Sequence, residues 1–318
     1  MNTQNPKLSI VVPALNAERY LDATIRTVLD QTFQDWEMVI ADGGSKDRTR
    51  EMLSAYAAGD PRIRPVFKPD ESPFHGIWNG VAEARGDYLC ILAISDGYLD
   101  REWLAKCVAA LDTDPELSIV WGIPFDMSEA GEILGPAYVY AHFLEGDFPG
   151  RRPSVLKKIL TKIDLRHPSS ILTLFGKVNR ANVAAARQML GHVTVSQKRD
   201  WFHYWLRTGT IFPDGNTVLS RRVFLECMPP YRMGTREPGD WMGFYFNLNS
   251  KGYLARCLPT PANSGRINAG QVSEVWKKYN DDNRREYFTK LAAFRRQTAE
   301  RPGSFHFVDR DGNALLNQ

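Results

Sequence analysis

The sequence predicts an α/β fold, a Rossmann-like and mostly parallel sheet with helices flanking it. Three observations carry this expectation. Continuous apolar runs of strand length recur through the first part of the chain, the segments between them place apolar residues at helical spacing, and the changeovers fall on turn-forming residues. Strands and helices alternating at such short intervals form βαβ units, which leave neighbouring strands parallel and cover both faces of the sheet.

In chain order, "LSIVVPAL" is a buried strand, and "AERYLDATIRTVLDQ" follows as a helix with Tyr20, Leu21, Ile25, Val28 and Leu29 on one side. "WEMVIAD" makes the second strand, "DRTREMLSAYAAG" a helix ending at Gly59, and "RIRPVF" the third strand. "GIWNGVAEARG" reads as a helix closed by Gly86, "DYLCILAI" as the central strand, "REWLAKCVAALDTD" as a helix and "LSIVWGIP" as a strand. Two extended runs then flank Glu129-Ala130-Gly131-Glu132, a hairpin pattern. From about Gly150 to Thr210 the chain turns basic and helical. "GNTVLSRRVFLECM" predicts a strand and a short helix, and "DWMGFYFNLNSKGY" a helix closed by Gly252. "SEVWKKYNDDNRREYFTKLAAFRRQTAE" is a charged helix with Trp276, Tyr279, Tyr287, Phe288, Leu291 and Phe294 available to dock, and a loosely held end is expected beyond Arg301.

With 318 residues, 43% hydrophobic and 24% charged, the composition is that of a globular chain able to bury a substantial core. The longest apolar run, Tyr88 to Ile94, falls far short of the roughly 20 residues that span a bilayer. The opening "MNTQNPKLSIVVP" lacks a small-residue cleavage site, so a cytoplasmic protein is expected. Cys90, Cys107, Cys227 and Cys257 show no CxxC spacing, which points to reduced, buried thiols. Net charge is only +3, yet from Arg151 to Arg199 eleven basic residues face the single acid Asp164. Such a block suits an anionic partner such as a phosphate or lipid head group. It lacks the basic-aromatic pattern of nucleic-acid modules.

Three acids stand where α/β sheets place ligand sites, at strand ends or helix starts. Asp42 ends a strand before Gly43-Gly44, where it can hydrogen-bond a base or ribose, or simply belong to a capped turn in which Ser45 or Asp47 caps the next helix. Asp96 follows the central strand in "CILAISDGYLD", where a lone carboxylate can hold a divalent metal against a diphosphate or serve an ordinary turn. Asp240, with Glu237 nearby, precedes a helix, as an N-cap or as a general base facing a cleft. His75 can touch a phosphate or sugar or be a satisfied structural histidine, and Trp201 and His203 can stack on a sugar or pack in the core.

Together these segments resemble the family-two inverting glycosyltransferases of GT-A fold. "SIVVPALNAERYL" resembles the family's opening strand and loop, with Pro13, Asn16 and Glu18 in the familiar places. "VIADGGSKDRT" is similar to its nucleoside-binding turn, and "GDWMGFYFNLNSKGY" to the helix headed by the catalytic aspartate. "GQVSEVWKKY" is similar to the closing turn of members that build surface polysaccharides. The resemblance implies a GT-A part binding the nucleotide sugar over residues 1–149, and a basic helical insertion over 150–210 that meets the acceptor or a membrane surface. It further implies an acceptor-side part with the catalytic aspartate over 211–270 and a helical tail over 271–318. It implies donor contacts from Pro13, Asn16, Glu18, Asp42, Gly43, Asn79, Ser95 and Asp96, a catalytic base at Asp240, and Mg²⁺ or Mn²⁺ held at Asp96. The implied partners are a nucleotide-diphosphate sugar, a saccharide or lipid-linked saccharide acceptor, an anionic membrane surface at the inner face of the cell membrane, and a second copy in a homo-oligomer, with no nucleic acid.

The chain departs from the family's pattern at the metal strand. The family's Asp-x-Asp(-Asp) is replaced by "ISDG" if Asp96 takes the metal position, with Ile94 and Gly97 in place of acids, or Ser95 takes that position in an ungapped count, with Ala93 before it. Trp78 stands where an Asn is common, with Asn79 beside it. Three functions therefore stand side by side: an active glycosyltransferase, a nucleotide-sugar-binding protein with a degenerate metal site and no transferase activity, and a nucleotidyltransferase. The last needs a glycine-rich basic loop that "PALNAERYL" lacks.

Overall fold

The protein is described by a computed structural model covering residues 5–137, 198–209, 217–229, 241–267 and 277–315 except 302 and 304. The first part alternates β1 (Leu8–Ala14), α1 (Leu21–Leu29), β2 (Trp36–Asp42), α2 (Thr49–Gly59), β3 (Ile63–Phe67), α3 (Pro73–Glu83) and β4 (Tyr88–Ile91). A short β5 (Gly97–Tyr98), α4 (Trp103–Thr113), the long β6 (Leu117–Met127) and β7 (Ile133–Pro136) follow. The later part supplies α5 (Lys198–Thr208), β8 (Thr217–Ser220), α6 (Arg221–Cys227), α7 (Trp241–Ser250), β9 (Leu254–Arg266) and α8 (Lys277–Glu300).

The strands form one sheet in the order β3-β2-β1-β4-β8-β6-β9-β5, with β7 paired to β6. β3, β2, β1 and β4 are mutually parallel, as the βαβ alternation requires. β8 enters antiparallel between β4 and β6, and β9 lies parallel to β6, so the later segments complete the sheet begun by the first.

Strand periodicity sorts the core. Val11, Val39, Leu89 and Ile91 point to one face, where Ile77, Trp121, Trp201, Trp205, Phe224 and Phe244 pack. Their neighbours Ile10, Val12, Met38, Ile40 and Cys90 point to the other, against Leu21, Ile25, Leu53, Trp103 and Leu104. Both faces of the parallel strands are covered, which is why these strands read as unbroken apolar runs.

Three sequence expectations are corrected. Helix α3 begins at Pro73, not Gly76, because the Ser72 hydroxyl caps it by accepting from the His75 N–H (3.2 Å) and Pro73 opens it. Gly86 does not close that helix. A Cβ there would lie 2.6 Å from the Ser9 backbone nitrogen, so glycine is required by close approach to β1. The end beyond Arg301 is docked: Val308 bridges Tyr253 and Ala314, Phe305 stacks on Phe202 at 4.1 Å, and Arg310 Nη1 donates to the Tyr88 hydroxyl and the Leu111 carbonyl.

Candidate active site

The ends of β2, β1 and β4 set three chain turns side by side. Asp42 is in register with Ala14, and the Leu92 N–H donates to the Val11 carbonyl (2.9 Å) before the chain turns at Ser95-Asp96. Asp42 and Asp96 therefore flank the loop after β1, about two strand spacings or some 10 Å apart in the sheet direction. That span suits a nucleoside at one end and its diphosphate at the other.

Asp42 is fully enclosed. Its Oδ1 accepts from the Ser45 N–H at 3.2 Å, closing the turn around Gly43-Gly44. Arg50 Nε lies 3.4 Å from Oδ2, an ion pair whose geometry leaves that buried oxygen without a hydrogen-bond donor. An unsatisfied buried carboxylate oxygen is costly, and a ligand N–H would remove the cost. The wall opposite is Asp70, a residue not singled out from the sequence. A Cβ on Gly43 would sit 2.3 Å from its Oδ2, and one on Gly76 would sit 2.8 Å from the same atom and 3.1 Å from Pro13. Glycine at these places lets backbone, carboxylate and Pro13 converge. Burial and then the neighbouring Asp42 charge push the Asp70 carboxyl up to about 6. The pairing of β2 with β3 brings Asp70 here, and no local pattern in the sequence reveals it.

The loop after β1 is built on α2. Asn16 has φ of 49°, a left-handed conformation that asparagine tolerates, and its Oδ1 accepts from the Lys46 N–H at 2.8 Å. Glu18 Oε2 accepts from the Arg48 N–H (2.8 Å), while the Glu18 N–H donates to Asp47 (3.1 Å). In this structure Asn16 and Glu18 thus frame the pocket through backbone contacts. Asn79 is buried on α3 with its Nδ2 lacking a hydrogen-bond partner. His75 is buried, its Nδ1 accepting from the Glu71 N–H, and Trp201 is a core residue donating to Asn249.

The Asp96 turn is held from below by α1, whose Thr24 hydroxyl donates to the carbonyls of Ile94 and Asp96 (both 2.7 Å). From above, the Arg266 N–H on β9 donates to Asp96 Oδ1 at 3.2 Å, and the Ser95 hydroxyl reaches the same oxygen at 3.4 Å. The donor set fits a divalent ion poorly. Asp96 is the one acid of the turn, and among the described residues no three Asp, Glu, His or Cys side chains gather to hold an ion. The Gly97 position does not accept a second acid, because a Cβ there would lie 2.8 Å from Thr27 Cγ2. The side chain beside Asp96 is instead the guanidinium of Arg266.

Asp240 and Glu237 lie outside the described residues, as does the basic block up to residue 197. Helix α7 begins at Trp241, whose ring lies 5.5 Å from that of Phe74 in the first turn of α3. No helix among the described residues is long and apolar enough to cross a membrane. A separate open groove between α1 and α2, lined by Leu29, Met52, Ala55 and Ile63, contains none of the candidate residues.

A sheet of this topology with its candidate acids at the strand ends is the architecture of the GT-A glycosyltransferases. Residues 9–135 match the family model described as glycosyl transferase family 2. TuaG of Bacillus subtilis (strain 168), a glycosyltransferase provisionally described as acting in teichuronic acid biosynthesis, is 36% identical over 97 residues, covering 30% of this chain and 38% of the relative. The chondroitin synthase of Pasteurella multocida (strain Pm70) is 28% identical over 138 residues, covering 43% of this chain and 14% of the relative. The alignments thus span well under half of these relatives. Among solved structures, the mannosyltransferase PcManGT from Pyrobaculum calidifontis, in complex with GDP-Man and Mn²⁺, superposes with a TM-score of 0.54 at 14% identity, over 92% of this chain and 65% of that one.

Proposed function

We propose that the protein transfers a sugar from a nucleoside-diphosphate donor to a saccharide hydroxyl with inversion, in the assembly of a surface polysaccharide. The observation that carries this reading is the enclosed Asp42 Oδ2, which faces Arg50 in an ion pair but accepts no hydrogen bond, beside Gly43, Asp70 and Gly76, and so suits a nucleobase or ribose donor. The family match over residues 9–135 and the polysaccharide-building relatives support it. In this reading Pro13, Asn16, Glu18, Asn79 and Ser95 shape the donor side.

Transfer with inversion needs one direct displacement. The acceptor hydroxyl attacks the anomeric carbon from the face opposite the nucleotide, and the bond to the diphosphate oxygen breaks. A neutral sugar hydroxyl is a poor nucleophile, so a base must take its proton, a contribution of about 10²–10⁴-fold. Asp240 is assigned that role from its place before α7, a helix that starts against the first turn of α3. The basic block from Arg151 to Arg199 is assigned to a lipid-linked acceptor or the anionic membrane surface that carries it.

Incubation with a panel of UDP- and GDP-sugars and oligosaccharide acceptors tests the reading, with free nucleoside diphosphate and the anomeric configuration of the product as readouts. Release with inverted product is expected, and Asp240→Asn should lower it at least about a hundredfold with donor affinity unchanged. Nucleotide-sugar binding with no turnover would favour the alternative, a binding protein without transferase activity. Retained turnover in Asp240→Asn would move the base elsewhere.

A further inference from the structure

We propose that the base of the donor is guanine, read along its row of N–H groups by the carboxylates of Asp42 and Asp70. The inference rests on the nucleotide-donor reading above and deepens it at the turn after β2.

Both acids close on Gly43. Asp42 ends β2 immediately before it, and Asp70 comes to it from beyond β3, where the Asp70 N–H donates to the Gly43 carbonyl at 3.4 Å. A Cβ on Gly43 would lie 2.5 Å from the Asp70 carboxyl carbon, so the carboxylate rests on bare glycine backbone. Arg50 links this corner to the end of β3. Its Nε faces Asp42 Oδ2 at 3.4 Å, and its Cζ lies 4.6 Å from the centre of the Phe67 ring. Phe67 is the register partner of Asp42 and is 41% exposed, so an aromatic surface borders the two acids.

Hydrogen-bond acceptors are left over at both carboxylates. Asp42 is 1% exposed, and its Oδ2 accepts no hydrogen bond despite the ion pair with Arg50. Among the described residues no group donates to the Asp70 carboxylate, whose charge is perturbed by burial and then by Asp42; with a value of about 6 it is ionised at neutral pH. One guanidinium against two carboxylates leaves the corner negative and short of donors.

An ionised carboxylate can only accept, so the edge that meets this pair must donate at every contact. Uracil offers one N–H between two carbonyl oxygens, which the carboxylates repel. Adenine and cytosine each offer an amino group beside a bare ring nitrogen. Guanine alone presents N1–H and the two N–H groups of its 2-amino substituent in a row with no acceptor between them. A pair of acids therefore favours guanine by its bonds and disfavours the other bases by the lone pairs they would leave facing each other.

The test titrates the full chain by calorimetry at pH 7.5, with and without Mn²⁺, against GDP, inosine diphosphate, UDP, ADP and CDP. GDP should bind at least about tenfold tighter than UDP, ADP and CDP. Inosine diphosphate, which differs from GDP only in lacking the 2-amino group, should bind about tenfold weaker than GDP. Asp70→Asn replaces an acceptor oxygen by a donor, so it should lower GDP affinity about tenfold while UDP binds equally or more tightly, a split that a structural defect would not produce. If that variant does not fold, the wild-type series decides. A preference for another base, a spread of less than tenfold such as contact with ribose hydroxyls alone would give, inosine diphosphate equal to GDP, or unchanged GDP affinity in folded Asp70→Asn would overturn the proposal and leave the donor reading intact. Binding of none of the five diphosphates in either condition would overturn both.

Discussion

Asp70→Asn should stabilise the fold and weaken the nucleotide site at once. The Asp70 carboxyl is crowded between Gly43 and Gly76 and is raised from 3.8 to about 6 by burial and then by Asp42. Because the folded-state value lies above the unfolded one, the folded chain holds the extra proton between about pH 4 and pH 6. Stability therefore falls as pH rises through that window, and the penalty is fully present above about pH 6. The displacement corresponds to about 3 kcal/mol at most, reduced to about 1–2 kcal/mol because the side chain is partly exposed. Asparagine carries no charge at any pH and removes the penalty. Melting curves near pH 7.5 should show the variant more stable by a few degrees, with the gain shrinking to roughly half by pH 5. Calorimetry at the higher pH should show nucleoside-diphosphate affinity lowered by about tenfold, the loss of one charged acceptor. No stabilisation near pH 7.5, or an equal gain at pH 5, would refute the charge reasoning, and unchanged affinity would refute the placement of Asp70 in the site.

Gly43→Ala drives a Cβ into Asp70, so nucleotide affinity should drop at least about tenfold, and carboxyl NMR should show Asp70 titrating back toward its ordinary value as it swings to solvent. Burial pushes Glu37 up, but the Arg85 N–H, the Ser9 hydroxyl and the guanidiniums of Arg85 and Arg64 hold it below its ordinary value. Its contribution is present above about pH 4.5 and lost as pH falls through the folded value, so Glu37→Gln should cost about 2–4 kcal/mol in urea denaturation at neutral pH and progressively less in acid. Arg310→Ala removes the bonds to Tyr88 and Leu111, which should cost about 1–2 kcal/mol and open residues 305–315 to limited proteolysis.

Much of this architecture is legible in sequence because the signals are local. β1 and β2 are unbroken apolar runs, α1 carries an apolar stripe, and Asp42 is conspicuous at a strand end before two glycines. The sequence reading places the start of α3 three residues late, at Gly76, although Ser72-Pro73 is a local capping pair that marks it. What escaped depends on distant partners. Asp70 joins Asp42 only once β2 and β3 pair, Gly86 is demanded by the backbone of Ser9, and Arg266 reaches the Asp96 turn through the register of β9 on β5. The last segment shows no periodicity, yet Val308 and Arg310 dock it on strands and helices far away in the chain.

The most direct measurement is a crystal structure of the protein with UDP or GDP, whichever binds more tightly. The expected result is a base or ribose donor within hydrogen-bonding distance of Asp42 Oδ2, with the diphosphate running over the loop after β1 toward the Asp96 turn. A nucleotide seated elsewhere, such as the groove between α1 and α2, with Asp42 Oδ2 still accepting no hydrogen bond, would contradict it.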